Sequence, residues 1–155
     1  MTPAIQAAKR AGIHYSVHEY AHDATETAYG KEAVSRMGVA AERVFKTLVV
    51  TDDGGACYVA VVPALGHLDV KGMAKAVGAK KIAMAEGKAV ERMTGYVLGG
   101  VSPLGQKKRL RTVIDASARD GQTVFVSAGR RGLEIELSPD DLAALTGATF
   151  APLAR

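Results

Sequence analysis

The sequence predicts a mixed α/β (α+β) fold, a single domain of residues 1–155 with one central β-sheet and helices packed on it. Three observations point there. Two segments dense in β-formers, Val44 to Thr51 and Cys57 to Val62, are separated by Asp52-Asp53-Gly54-Gly55, a hairpin signal. Helix-patterned segments each stop at a glycine: Gly12, Gly38, Gly78, Gly95 and Gly147. Strand-like and helix-like segments intermix without strict βαβ alternation, and 155 residues supply one sizeable core rather than two.

In chain order, Thr2 caps a short helix with Pro3 at its first position, and Gly12 ends it. Ile13 to Tyr20 reads as a strand. A second helix runs to Met37, starting at Thr27 or Gly30. The two strong strands and their hairpin follow. Asp69 to Val77 and Glu86 to Met93 are helical, with a short strand over Lys81 to Met84 between them. Thr112 to Asp115, Thr123 to Ser127 and Leu133 to Leu137 are strand-like. Ser138-Pro139-Asp140-Asp141 is a helix start, because the serine caps and the acids sit at the positive end of the dipole. That helix runs to Gly147, and Thr149 to Leu153 adds a last strand.

Hydrophobic residues make up 48% of the chain and charged residues 23%, the balance of a soluble globular domain. With no tryptophan and few aromatics, the core falls to Val, Leu, Ala and Ile. A net charge of +4 is compatible with a polyanionic partner and does not require one. The single cysteine, Cys57, rules out an internal disulfide and a cysteine-rich zinc site. The sequence shows no leader-like start and no run of membrane-spanning length, so a cytoplasmic protein with no membrane association is expected.

Chemistry is sought first at Gly99-Gly100-Val101-Ser102-Pro103-Leu104-Gly105-Gln106-Lys107-Lys108-Arg109. Its glycines can aim bare backbone N–H groups at a ligand, or simply form a turn before a solvated basic patch. Lys46 is the sharpest single oddity. It shares a strand face with Val44, Leu48 and Val50, and the opposite face of Phe45, Thr47 and Val49 is also largely apolar. A lysine in a strand covered on both sides needs an acceptor or a cleft; otherwise it snorkels from an edge. Cys57, beside Val59 and Val61, reads as a core thiol rather than a nucleophile. His14, His18, His22 and His67 lack the companions of a metal site, so no metal and no cofactor are expected. Tyr20 and Tyr29 flank the His22-Asp23 loop, as pocket walls or as packing aromatics. Glu134 and Glu136 alternate with Leu133, Ile135 and Leu137, the pattern of a solvated strand face. Lys107, Lys108, Arg109 and Arg111, with Arg130 and Arg131, form either solvated surface or, if they converge, a phosphate-contacting rim.

Together these segments resemble a known family over nearly the whole length. The carrying motifs are Met1-Thr2-Pro3-Ala4, Tyr20-Ala21-His22-Asp23, Val44-Phe45-Lys46-Thr47-Leu48, Gly78-Ala79-Lys80-Lys81, Thr94-Gly95-Tyr96 through Arg109, Val113-Ile114-Asp115 and Arg131-Gly132-Leu133-Glu134-Ile135-Glu136-Leu137. The chain resembles the YbaK/EbsC-type Cys-tRNA(Pro) deacylases, trans-editing relatives of the editing (insertion) domain of bacterial prolyl-tRNA synthetases.

The resemblance implies a central mixed sheet or partly closed barrel flanked by helices. It also implies a hydrolase that removes cysteine wrongly attached to proline tRNA. Cysteine and proline are similar in volume, so a size sieve discriminates poorly and a chemical test is needed. In the family the substrate's own thiol is thought to attack the ester, which needs no protein nucleophile. Carried over by the resemblance, Lys46, Gly99 and Gly100 are the catalytic positions. Tyr20, Tyr29, Ser102 and Glu134 bind substrate, with Glu134 standing where relatives carry aspartate. Lys107, Lys108, Arg109 and Arg131 are weaker tRNA contacts. The expected partners are the acceptor end of mischarged tRNA(Pro) and prolyl-tRNA synthetase, with the protein a monomer. The alternatives are an Ala-tRNA(Pro) or broader aminoacyl-tRNA deacylase, and a non-catalytic module that binds tRNA or the synthetase.

Overall fold

Each helix forms where a local start signal meets an apolar stripe. The computed structural model describes residues 1–155. In α1 (Pro3–Ala11) the Thr2 hydroxyl accepts from Ile5 N at 3.2 Å, and Ala4 and Ala8 are buried. Asp69 and Ser138 cap α3 (Val70–Val77) and α5 (Pro139–Thr146) in the same way. The helices α2 (Tyr29–Met37) and α4 (Gly87–Thr94) begin without a side-chain cap. All five end at a left-handed glycine whose N–H closes the last turn, as the sequence pattern predicts.

The strands form two sheets instead of one. A five-stranded mixed sheet has the order β4 (Ile82–Met84), β2 (Phe45–Asp52), β3 (Cys57–Pro63), β5 (Arg111–Asp115), β8 (Thr149–Ala151). A three-stranded antiparallel sheet has the order β1 (Tyr15–Glu19), β7 (Leu133–Leu137), β6 (Val124–Arg130). They meet at one parallel bridge, Val44 to Phe125, and then β2 and β6 diverge. The β6–β7 register slips between Ser127 and Arg130, where Gly129 has φ +113°; this bulge bends β6 away and no barrel closes. The mixed α/β class holds, and the split between the sheets creates the cleft.

As expected for a strand covered on both sides, β2 sends Phe45 and Val49 into the main core and Val50 to the opposite face. The main core lies between the sheets, with Val59, Val61, Ile114, Val126, Ile135 and Leu142. Val50, Ala60, Val62 and Val113 pack under α3 against Met73 and Val77. A small third cluster of Ala33, Val44, Ala64 and Phe125 joins α2 to the sheet junction, with Tyr20 packed against it. Cys57 is partly buried against the main core, the placement expected of a packing thiol. No helix is long and apolar enough to cross a membrane.

Candidate active site

Where β2 and β6 part, a cleft of about 540 Å³ opens. One wall is Val44 with Phe45 to Leu48 of β2. The start of α2 (Tyr29, Gly30) and the loop Ala64 to His67 form a second, and Leu98, Gly99 and Val101 a third. Tyr20, Ser127 and Glu134 close the far side.

The β2 wall includes an open main-chain edge. Val44 O accepts from Ala64 N at 2.8 Å, and Asp52 N donates to Ala56 O at 2.9 Å, so even-numbered residues bond towards β3. Odd-numbered residues turn their main chain the other way. There β4 pairs only with Val50 to Asp52, and Ala85 N donates to Val49 O at 3.0 Å. The main chain of Thr47 therefore faces the cleft. The Thr47 hydroxyl is buried and has no hydrogen-bond partner.

Lys46 reaches the cleft instead of snorkelling to solvent. Its Nζ donates to Gly66 O at 2.7 Å, which leaves two ammonium protons for a ligand. Burial lowers its pKa from the ordinary lysine value.

Glu134 does not lie on a solvated face, as its alternation suggests. It is 6% exposed because α2 and the loop before it cover that side of the three-stranded sheet. Burial pushes its pKa up to about 8, and its carboxyl has no side-chain or main-chain hydrogen bond. At neutral pH it is an uncharged acid lining the cleft beside Tyr20 and Ser127. Tyr20, beside it, is also raised, first by burial and then by the Glu134 charge. Glu136 is not solvated either. Its carboxylate takes His18 Nε2 at 3.0 Å, Arg43 at 2.9 Å and the Thr123 hydroxyl, and the Thr123 bond leads in holding its pKa low.

Gly99 and Gly100 have different surroundings. Gly99, with φ +90°, lines the cleft, and a Cβ there would stand 3.3 Å from the Tyr29 ring. Gly100 is buried outside the lining, and its N–H already donates to Val97 O at 3.0 Å. A Cβ on Gly100 would fall 2.6 Å from Arg130 Cα, so this glycine permits a close backbone crossing. Ser102, expected at the substrate, is fully buried away from the cleft, and its Oγ accepts from Leu104 N at 3.2 Å. It shapes the loop.

The expected cationic rim does not form beside the cleft. Lys108 and Arg109 line a separate pocket of about 200 Å³ with Ala7, Gln106 and Thr146. Lys107 is exposed, with its N–H donating to Thr94 O at 2.9 Å. Arg111 donates to Ala76 O and Val77 O at the end of α3. Arg131 is turned inward onto Glu32, at 3.0 Å. The glycine-rich stretch thus starts at the cleft and ends, after Ser102, at a different face.

Sequence reasoning missed Glu32, Gly66 and Ser127. Glu32 is 7% exposed although it sits in the first turn of a surface helix. Its only local hint is Gly30, where a Cβ would meet Ala64 O at 2.9 Å and α2 could not approach the sheet. Gly66 and Ser127 are brought to the site by tertiary contacts alone. No group of three or more His, Cys, Asp and Glu side chains comes together in a metal-binding arrangement.

Comparison with known proteins identifies the family. The family model for the aminoacyl-tRNA editing domain matches residues 22–145. The Enterococcus faecalis protein named "Putative Cys-tRNA(Pro)/Cys-tRNA(Cys) deacylase EbsC" is 37% identical, covering 98% of this chain and 92% of its own. The Bacillus subtilis protein YwhH is 28% identical, covering 86% of this chain and 87% of its own. A crystal structure of "a putative trans-editing enzyme for prolyl tRNA synthetase" superposes with a TM-score of 0.84 at 28% identity, covering 100% and 99% of the two chains. The chain belongs to the aminoacyl-tRNA editing domain family.

Proposed function

We propose that this aminoacyl-tRNA deacylase is a trans-editing hydrolase that clears cysteine from Cys-tRNA(Pro), using the cysteine's own thiol as the nucleophile. The observation that carries the reading is the content of the cleft. It holds a half-buried ammonium, a neutral acid and open main chain, and no cysteine lines it. Ser127, which does line it, accepts from Gly129 N at 3.2 Å and has no base bonded to its hydroxyl. Chemistry that draws its nucleophile from the substrate fits such a site.

In the proposed step the substrate sulfur bonds to the ester carbonyl carbon and the carbon–oxygen bond to the ribose breaks. The thiol proton ends on the released ribose hydroxyl. Water later opens the cyclic thioester to free cysteine. Lys46 supplies positive charge at the ester or terminal ribose oxygens, where a low-dielectric site strengthens it. The main chain at Gly99 and Thr47 orients the aminoacyl group. Glu134 receives the α-ammonium, whose charge favours ionisation of the buried acid on binding. Holding the thiol near the carbonyl supplies much of the acceleration.

Prolyl-tRNA synthetase is the proposed partner that presents the proline tRNA. The Lys108 and Arg109 pocket is the proposed contact to tRNA phosphates. The test is a panel of Cys-tRNA(Pro), Ala-tRNA(Pro) and Pro-tRNA(Pro). Cleavage of the cysteinyl ester with the prolyl ester spared is the expected result. Cleavage of the alanyl ester alone would indicate an alanine editor and end the thiol mechanism. Salt-sensitive tRNA binding without turnover would mark a binding module.

A further inference from the structure

The turn joining β6 to β7 touches three segments at the cleft: the loop at Gly100, the chain at Tyr20 and the start of α2 at Tyr29. Gly100 crosses directly over Arg130, and its absent side chain is what allows the contact. Gly132 O accepts from Tyr20 N at 2.9 Å, and a Cβ on Gly132, at φ +87°, would strike Tyr20 O at 2.8 Å. Between these two glycine contacts stands Arg131, whose side chain is only 16% exposed.

The Arg131 guanidinium uses its fork in three directions. Nε donates to Glu32 Oε1 at 3.1 Å, and the terminal nitrogen reaches the same oxygen at 3.0 Å. The terminal nitrogen also donates to Asp23 O. The guanidinium Cζ lies over the Tyr29 ring, 4.7 Å from the ring centre. Glu32 closes the circuit by accepting from Asp23 N at 2.9 Å. Tyr29 in turn rests on Gly99, so each link leads towards the substrate. With its charge matched by buried Glu32, Arg131 has little left to offer a phosphate.

We infer that Arg131 is a positioning residue: through Tyr29 and the loop of residues 21–28 it sets the width of the amino-acid end of the cleft against Gly99. This rests on the deacylase reading above. It assigns Arg131 to selectivity among aminoacyl groups rather than to tRNA affinity. Lysine cannot replace it, because a point charge neither forks onto Glu32 and Asp23 nor stacks on Tyr29.

The experiment compares the full-length wild type with Arg131→Lys, Glu32→Gln, Tyr29→Ala and the Arg131→Lys/Tyr29→Ala double variant. The ratio of kcat/KM for the cysteinyl and prolyl esters of tRNA(Pro) is measured. Partial misfolding cancels from that ratio. Arg131→Lys and Glu32→Gln are expected to lower the ratio by roughly 10-fold, with the double variant no worse than Tyr29→Ala, because the arginine acts through the ring. In a further variant, Arg131→Met, which removes the charge, affinity for uncharged tRNA and its salt slope stay unchanged, whereas loss of a phosphate contact would reduce the slope by about 1. Hydrogen exchange over residues 21–29 is expected to quicken at least ~10-fold in Arg131→Lys, with β2 and β3 unchanged. An unchanged ratio, multiplicative losses in the double variant, or a shallower salt slope overturns the inference. A wild type inactive on every ester defeats the deacylase reading; unchanged exchange in the loop then still refutes the positioning role of Arg131 on its own.

Discussion

Replacing Glu134 with glutamine removes a titration that opposes folding. In the unfolded chain the carboxyl titrates at its ordinary value of 4.5, whereas burial in the folded cleft pushes it to about 8. Below pH 4.5 both states hold the proton and the group contributes nothing to pH dependence. Between these two values the unfolded chain gives up its proton and the folded one keeps it, so stability falls as pH rises. Above pH 8 the loss levels off. At ~1.4 kcal/mol per pH unit the interval corresponds to about 5 kcal/mol. Glutamine keeps the shape without the charge. Urea unfolding of wild type and Glu134→Gln between pH 4 and 9 is therefore expected to show similar midpoints at pH 4. The curves then diverge, with the variant the more stable by several kcal/mol at pH 9. Parallel curves would refute the reasoning, since the folded carboxyl would then ionise as freely as the unfolded one.

Other perturbations separate chemistry from folding. Lys46→Met keeps the stem and removes the ammonium; deacylation is expected to fall ~10²-fold or more in single-turnover assays, while the thermal midpoint holds or rises because burial disfavours the charge. Gly100→Ala is expected to cost more than ~2 kcal/mol in denaturant unfolding, since its Cβ meets backbone at 2.6 Å, whereas Gly54→Ala, whose Cβ stands 3.4 Å from an Asp52 carboxylate oxygen, stays within ~1 kcal/mol.

Much of the fold is local and can be read from local residues. Thr2, Asp69 and Ser138 cap the helices the sequence predicts, and five glycines stop them. The central placement of β2 follows from apolar residues on both its faces. What local pattern cannot show is which face a neighbour covers. Glu134 alternates like a surface residue, yet α2 and the loop before it close over that side of the sheet. The same non-local packing hides Glu32 and turns Arg131 inward. Gly99 and Gly100 look equivalent in sequence, but one lines the cleft and the other admits a backbone crossing. Lys108 and Arg109, which follow them, line another pocket, because the loop turns away through buried Ser102, Pro103 and Leu104. The single expected sheet is two, because β2 and β6 share one bridge, at Val44 and Phe125, and pair no further; the bulge that follows in β6 is a detail that Ser127-Ala128-Gly129 only hints at.

The central claim is that the substrate's thiol does the work, and the most direct measurement sets sulfur against oxygen. Cys-tRNA(Pro) and Ser-tRNA(Pro) present esters of nearly the same shape and differ in the nucleophile they carry. Single-turnover deacylation by the wild type is expected to cleave the cysteinyl ester at least ~10³-fold faster than the seryl one, above the roughly 10²-fold that an apolar pocket achieves between near-isosteric groups. Equal rates for the two esters would contradict the account and place the nucleophile in the protein or in solvent.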